Sequence, residues 1–311
     1  MISCTEFIPS YSELFTYLED EHGRGEVDLF WNYLFQPDGK GIPLIGFIER
    51  EGIKGGCSNG KGPRNEEAAD FTMYVNEKRG FYFNEMHHCP SKGRLLELKD
   101  EIGIEPYHDY CLHCDMYRLA AEKCGLKYIY NFNGTDKASC SMLIYDPKVF
   151  DGRVIIDEDT EIMDRKASDN EYFHLDFHSS LNMGSHYVGE KFGEAELVEY
   201  LTRFTHHVYH PVISAIKEKG LQAIADKITD TYTKEKALEV LTTVLDSNAL
   251  TVTVTECPAV KHLHETGREV SPWYRYTTEV VMSVLAKKGG FRFTMESYDE
   301  TTGAAKYRFE K

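Results

Sequence analysis

The chain is expected to be α+β: two tandem homologous repeats, each with helices followed by an antiparallel sheet, together forming a pseudo-dimer. Three observations predict this. Apolar residues at three- and four-residue spacing precede runs of aromatic and β-branched residues, once in each half of the 311 residues. Cys89-Pro90, closing one such run, recurs as Cys257-Pro258, 168 residues on. Between the halves, residues 154–170 carry Asp157, Glu158, Asp159, Glu161 and Asp164 without helical apolar spacing, as a linker does.

Further anchors keep the same order. Gly23 and Glu26-Val27 match Gly193 and Glu196-Leu197, and Pro43-Leu44-Ile45 matches Pro211-Val212-Ile213. Downstream, Pro106-Tyr107 matches Pro272-Trp273, and Gly125-Leu126 matches Gly290-Phe291. The spacing drifts only from 170 to 165, so the division expected is 1–153, an acidic linker 154–170, and 171–311.

Within each repeat the elements follow from pattern. Residues 26–35 and 194–204 read as amphipathic helices, as do 42–51 and 212–219, closed by Gly52 and Gly220. Residues 71–75, 80–86 and 250–255 read as strands. A third helix is expected over 107–123 and 273–287, then closing strands at 127–131 with 139–145 and at 290–297 with 304–309. Asn133-Gly134 and Thr302-Gly303 lie in the hairpin turns. Gly55 to Gly62 reads as a flexible loop: it lacks the order of a phosphate-binding loop, because Lys61 is followed by Gly62.

Composition excludes some functions. A net charge of −16 repels phosphate backbones, so nucleic acid is not an expected partner. Residues 42–48, the longest mainly apolar stretch, are too few to span a bilayer, and no signal peptide opens the chain. Eight cysteines without an export signal read as thiols or ligands in the cytoplasm. The expected partner is a small-molecule substrate or ligand, and a homo-oligomer stays open.

The reactive side chains are concentrated in the first repeat. Five cysteines (Cys89, Cys111, Cys114, Cys124, Cys140) and four histidines (His87, His88, His108, His113) fall within 87–140. Cys111-x-x-Cys114 followed by Asp115 suits a metal half-site, a redox pair, or a nucleophile with its partner; buried thiols acting as small hydrophobes are the plain alternative. Cys89 recurs as Cys257 and reads as packing at a strand end, stopped by the proline. In the second repeat, His174-x-Asp176-x-His178 places two histidines at ligand-capable helical spacing, which would let them fold back and complete a site with the thiols. Solvated histidines are the alternative there.

Cys89-Pro90, the segment Cys111 to Asp115, and the hairpin Gly134-Thr135-Asp136-Lys137-Ala138-Ser139-Cys140 together resemble the L-2-amino-thiazoline-4-carboxylic acid hydrolase-like family. The second repeat keeps Cys257-Pro258 and the hairpin, but Ala305-Lys306 replaces the last cysteine. More distantly the layout is similar to vinyl-reductase-type small-molecule-binding domains, some of which hold zinc at places comparable to Cys111 or Cys114 and Cys140. The resemblance implies hydrolysis of a cyclic amidine-like thioether at a C–N bond. Cys114, Asp115, His113 and His88 are the candidate catalytic residues. Cys111, Cys114, Cys140, His174 and His178 are the candidate ligands of a divalent zinc or iron. In a metal-free version a cysteine attacks the amidine carbon while His113 or His88 moves the proton and Asp115 orients the base. The reading from another class is a non-catalytic binding or sensing protein with a structural thiol–metal site, and a plain scaffold would disperse its cysteines through the core.

Overall fold

A computed structural model describes residues 1–35, 43–61, 68–167 and 172–311. Its contacts divide into two compact units, Leu18–Tyr172 (the first) and Met1–Tyr17 with Phe173–Lys311 (the second). Each unit is α+β with an antiparallel sheet. Helix α1 (Phe7–His22) runs across the division in sequence.

The first unit continues with α2 (Arg24–Phe35), α3 (Leu44–Glu51) and α4 (Gly55–Lys61). Strands β1 (Asp70–Asn76) and β2 (Phe81–His88) lead to α5 (Pro90–Ile102), a 3-10 helix (Tyr110–Asp115) and α6 (Met116–Lys123). Strands β3 (Lys127–Asn131), β4 (Cys140–Tyr145) and β5 (Glu161–Lys166) complete it. The sheet order is β3-β4-β2-β1-β5. Strand period puts Tyr128 and Tyr130, Met142 and Ile144, Tyr82 and Met86, and Phe71, Met73 and Val75 on the face that packs against Leu44, Ile45 and Ile48 of α3 and Ala120 and Ala121 of α6. Burying each large apolar side chain there stabilises by about 1.5–3 kcal/mol.

Three expectations change in this unit. The stretch expected as a linker holds β5, which pairs with β1 and covers its edge. Its acids are spent locally: Asp157 meets Arg79 at 2.6 Å and Asp159 meets Lys78 at 2.7 Å. The glycine-rich segment expected as a loop is helix α4 up to Lys61, with Gly62 outside the described residues. Its glycines answer to packing: a Cβ on Gly56 would sit 2.6 Å from the Tyr82 ring. The third helix begins only at Met116. Before it, the His113 side chain takes the Tyr110 carbonyl at 2.5 Å, the oxygen that an α-helix would offer to residue 114.

The second unit opens with a 3-10 helix (Cys4–Glu6) that leads into α1. After residue 172 come α7 (Phe177–Phe192), α8 (Glu194–Val208), α9 (His210–Lys219) and α10 (Leu221–Lys234). Then follow β6 (Leu241–Leu245), β7 (Ala249–Val254), α11 (Pro258–Glu265), α12 (Tyr276–Gly289), β8 (Arg292–Tyr298) and β9 (Ala305–Glu310). The sheet order is β6-β7-β9-β8, with Leu250, Val252, Val254, Tyr307 and Phe309 on the buried face. Residues 1–17, expected with the first repeat, cluster here because Ile2, Ile8, Leu14 and Phe15 are buried and the Ser10 hydroxyl lies 2.7 Å from that of Tyr200. Helix α7 starts at Phe177, so His174 precedes it and the expected one-turn pairing with His178 does not form. Among the described residues no helix is long and apolar enough to cross a membrane.

Candidate functional site

Four of the six cysteines of the first unit meet at one pocket. It is lined by Cys89, Cys111, Cys114, Cys140, His113 and Tyr130, with Ser91, Lys92, Thr135 and Ser139 supplying polar groups. About 330 Å³ of empty space lies inside it, part of it open to solvent. Four separate segments bring these residues together.

Cys89 sits where β2 hands over to α5. Its backbone is extended (φ −76°, ψ 121°), it caps α5 by accepting from the Lys92 N–H at 3.5 Å, and Pro90 occupies the first helical turn. The proline therefore starts a helix as well as ending a strand. The Cys89 N–H donates to the Ala138 carbonyl at 2.6 Å, which draws the hairpin loop against the strand end. Cys140 opens β4 directly opposite Met86, and the Tyr130 hydroxyl donates to its sulfur at 3.1 Å.

Cys111 and Cys114 come from the 3-10 helix, whose end is tied down by the Tyr128 hydroxyl donating to the Cys114 carbonyl at 3.2 Å. His113 lies between them in sequence and is fixed from one side. Its Nδ1 meets the Tyr110 carbonyl, and Nε2 lies 3.8 Å from Cys114 Sγ. The Tyr110 ring packs edge-on against the imidazole.

Burial dominates the electrostatics of Cys111 and Cys89. Burial pushes the Cys111 thiol up to about 12, with the Cys114 sulfur adding to the rise and Lys92 opposing it. Burial also pushes Cys89 up. For His113, burial lowers the pKa, but the charge and hydrogen bond of the Cys114 sulfur and the Tyr110 carbonyl outweigh it, and the net shift is upward. The Cys114 sulfur thus favours the protonated form of His113.

The donor set was expected to hold a metal. Tetrahedral zinc thiolates bring sulfurs to about 3.8 Å of one another, from Zn–S bonds of about 2.3 Å. No trio drawn from Cys89, Cys111, Cys114, Cys140 and His113 has ligand atoms all within 4.8 Å of one another. The pocket as folded does not fit a closed tetrahedron of these ligands.

The other expected residues lie elsewhere. Asp115 pairs with Arg118 at 3.0 Å and is not among the pocket-lining residues. His88 is also off the lining, and its ring rests where a side chain on Gly93 would be. His174 and His178 belong to the second unit. There His178 Nε2 meets Glu235 at 2.9 Å and Nδ1 meets the Tyr274 hydroxyl at 3.2 Å. Asp176 binds His262 and Arg268.

Lys92 and Tyr130 line the pocket without belonging to any sequence motif, and Cys89, which reads from sequence as packing at a strand end, lines it too. The strand alternation that puts Tyr130 on the face of Met142 was the available signal for the tyrosine. No family model, no curated protein and no solved structure matches this chain.

Proposed function

We propose that the chain is a small-molecule hydrolase of the aminothiazoline-carboxylate hydrolase type, acting on a C–N bond through a cysteine nucleophile in the first unit. The observation that carries this is the His113–Cys114 pair, 3.8 Å apart at an open pocket, with the imidazole oriented by the Tyr110 carbonyl. In this reading the Cys114 thiolate adds to the amidine carbon and forms a C–S bond. The His113 imidazolium gives its proton to the departing amine nitrogen as the C–N bond breaks. Water then adds to the same carbon with His113 as base, and the C–S bond to Cys114 breaks to restore the thiolate. Lys92 and the hydroxyls of Ser91, Thr135 and Ser139 are placed to bind polar groups of the substrate. A cytoplasmic setting suits eight cysteines that form no disulfide.

An internal duplication is part of the same proposal. It is supported by the order β3-β4-β2-β1 in one sheet and β8-β9-β7-β6 in the other, with Cys89 and Cys257 each at the N-cap of the helix that follows the corresponding strand, β2 or β7. Gly52 and Gly220 share one unusual backbone state (φ 60°, ψ −139° and φ 58°, ψ −133°) between successive helices. The first copy then carries all four pocket thiols, and of their counterparts the second keeps only Cys257.

The test is turnover of a panel of cyclic amidines, with mass spectrometry of the quenched enzyme. A covalent adduct on Cys114, and loss of turnover in Cys114→Ser but not in Cys124→Ser, is the expected result. Normal turnover by Cys114→Ser, or no turnover of any amidine by the folded protein, overturns the reading.

A further inference from the structure

We propose that Cys4, His178 and Glu235 form a divalent-cation site, suited to zinc, inside the second unit. The three come from separate segments: the 3-10 helix at Cys4–Glu6, the first turn of α7, and the residue after α10. Their ligand atoms all lie within 4.8 Å of one another, and among the described residues no other trio of Cys, His, Asp or Glu does so. All are buried, with exposures of 1% for Cys4, 0% for His178 and 4% for Glu235.

The surroundings are arranged as they are around metal ligands. Glu235 Oε1 is committed, accepting from the Ser3 hydroxyl and from the Cys4 N–H, both at 2.7 Å. Its other oxygen, Oε2, faces His178 Nε2 at 2.9 Å. On the far side of the imidazole, Nδ1 meets the Tyr274 hydroxyl at 3.2 Å. In Glu235 and in His178 one atom is therefore held from outside while the other is aimed inward, which is how outer partners orient metal ligands.

The chemistry fits a borderline-soft dication. One sulfur, one imidazole nitrogen and one carboxylate oxygen are an ordinary zinc set. A thiolate and a carboxylate together neutralise the ion, so a fully buried site ends without net charge. On uptake the imidazole proton resides on Nδ1, where the Tyr274 oxygen accepts it. Nε2 turns its lone pair to the ion, and the Cys4 thiol proton leaves to solvent. The trio owes nothing to the thiol pocket of the first unit, so the two assignments stand or fall separately.

The test uses the full chain, stripped with chelator, and Zn²⁺ or Co²⁺ alone as probe. Expected are one Zn²⁺ per chain, a thiolate-to-cobalt charge-transfer band in the near ultraviolet, and X-ray absorption showing one sulfur per zinc. Cys4→Ser removes the band, Glu235→Gln weakens zinc binding by roughly a hundredfold, and Cys111→Ser/Cys114→Ser leaves both intact. No zinc uptake by the folded chain, two or more sulfurs per zinc, or a band that survives Cys4→Ser overturns the proposal. The X-ray absorption measurement needs no variant and decides the matter if either substitution fails to fold.

Discussion

His113 Nε2 lies 3.8 Å from Cys114 Sγ, while the same ring is anchored through Nδ1 to the carbonyl of Tyr110, the residue before the pocket cysteine Cys111. A histidine held at one nitrogen and facing a thiol with the other sets both the orientation and the charge of the pair. His113→Gln keeps a polar side chain but removes the titrating base. Turnover of a cyclic amidine is expected to fall by roughly two orders of magnitude or more. Alkylation of Cys114 at neutral pH falls with it, read by peptide mass spectrometry after an iodoacetamide pulse. Unchanged alkylation would show that His113 does not govern this thiol.

The Glu6–Lys227 pair ties residues 1–17 to the rest of the second unit. Lys227 Nζ lies 2.6 Å from Glu6 Oε1, both groups are largely buried, and the Tyr209 hydroxyl donates to Oε2 at 2.5 Å. Burial raises the Glu6 pKa, yet the Lys227 charge, the hydrogen bonds from Lys227 and Tyr209, and the Ser3 N–H outweigh it, so the net shift is down. A depressed carboxyl stabilises fully above its unfolded value of about 4.3 and loses that stabilisation as pH falls through its folded value. The denaturation midpoint is therefore expected to drop below about pH 4.3, and to drop less in Glu6→Gln, whose stability is already reduced.

Breaking the same pair from one side leaves a buried charge alone. Lys227→Met is expected to cost roughly 3 kcal/mol or more, and the double variant Glu6→Gln/Lys227→Met to recover a good part of that. Urea unfolding of the four proteins in the cycle measures the coupling. Additive effects would mean that the two side chains do not act as a pair.

Ala138, before β4, has a left-handed backbone (φ 57°), and Gly303, before β9, has φ 65°. For a non-glycine residue that region costs about 1–2 kcal/mol, partly offset by the chain entropy glycine loses on folding. Ala138→Gly is expected to raise stability by about 0.5–1 kcal/mol. Gly303→Ala is expected to lower it, because the new Cβ would also sit 2.5 Å from Cys257 Cβ. Thermal unfolding of the two variants checks the opposite signs.

Asn84 lies on the apolar face of the first sheet, opposite Met142 and Met73, with an exposure of 1%. Its Oδ1 has no hydrogen-bond partner. A buried orphan acceptor costs about 1–3 kcal/mol, so Asn84→Val, which removes the amide, is expected to raise the unfolding midpoint. A lower midpoint would show that the amide has a stabilising role in the fold.

Much of the element order was legible without coordinates. Strand β3 falls on the expected residues 127–131, and α2, β1, β2, β7 and β9 fall within a few residues of expectation, because a strand or helix half-buried on one face must carry period 2 or 3.6. Among the elements not expected from the sequence are helices α1, α4, α5, α10 and α11 and strands β5 and β6. In α4 the glycines mask the period, and close contact with Tyr82 is what requires Gly56. In α5 and α11 the Cys-Pro step reads as a strand stop, although the same residues cap a helix.

By itself the sequence determined which chemistry is on hand: thiols gathered between Cys89 and Cys140, with His113 beside Cys114. Adjacent residues and periodic spacings are properties of the chain alone. What only the tertiary structure decided is which of those groups meet. Strand register set Cys140 opposite Met86 and turned Tyr130 onto its sulfur. Burial of residues 1–17 in the second unit brought Cys4 to Glu235, a partner 231 positions away. No local pattern marks such a pair, because a contact across that distance is fixed by the packing of apolar faces and not by any spacing along the chain.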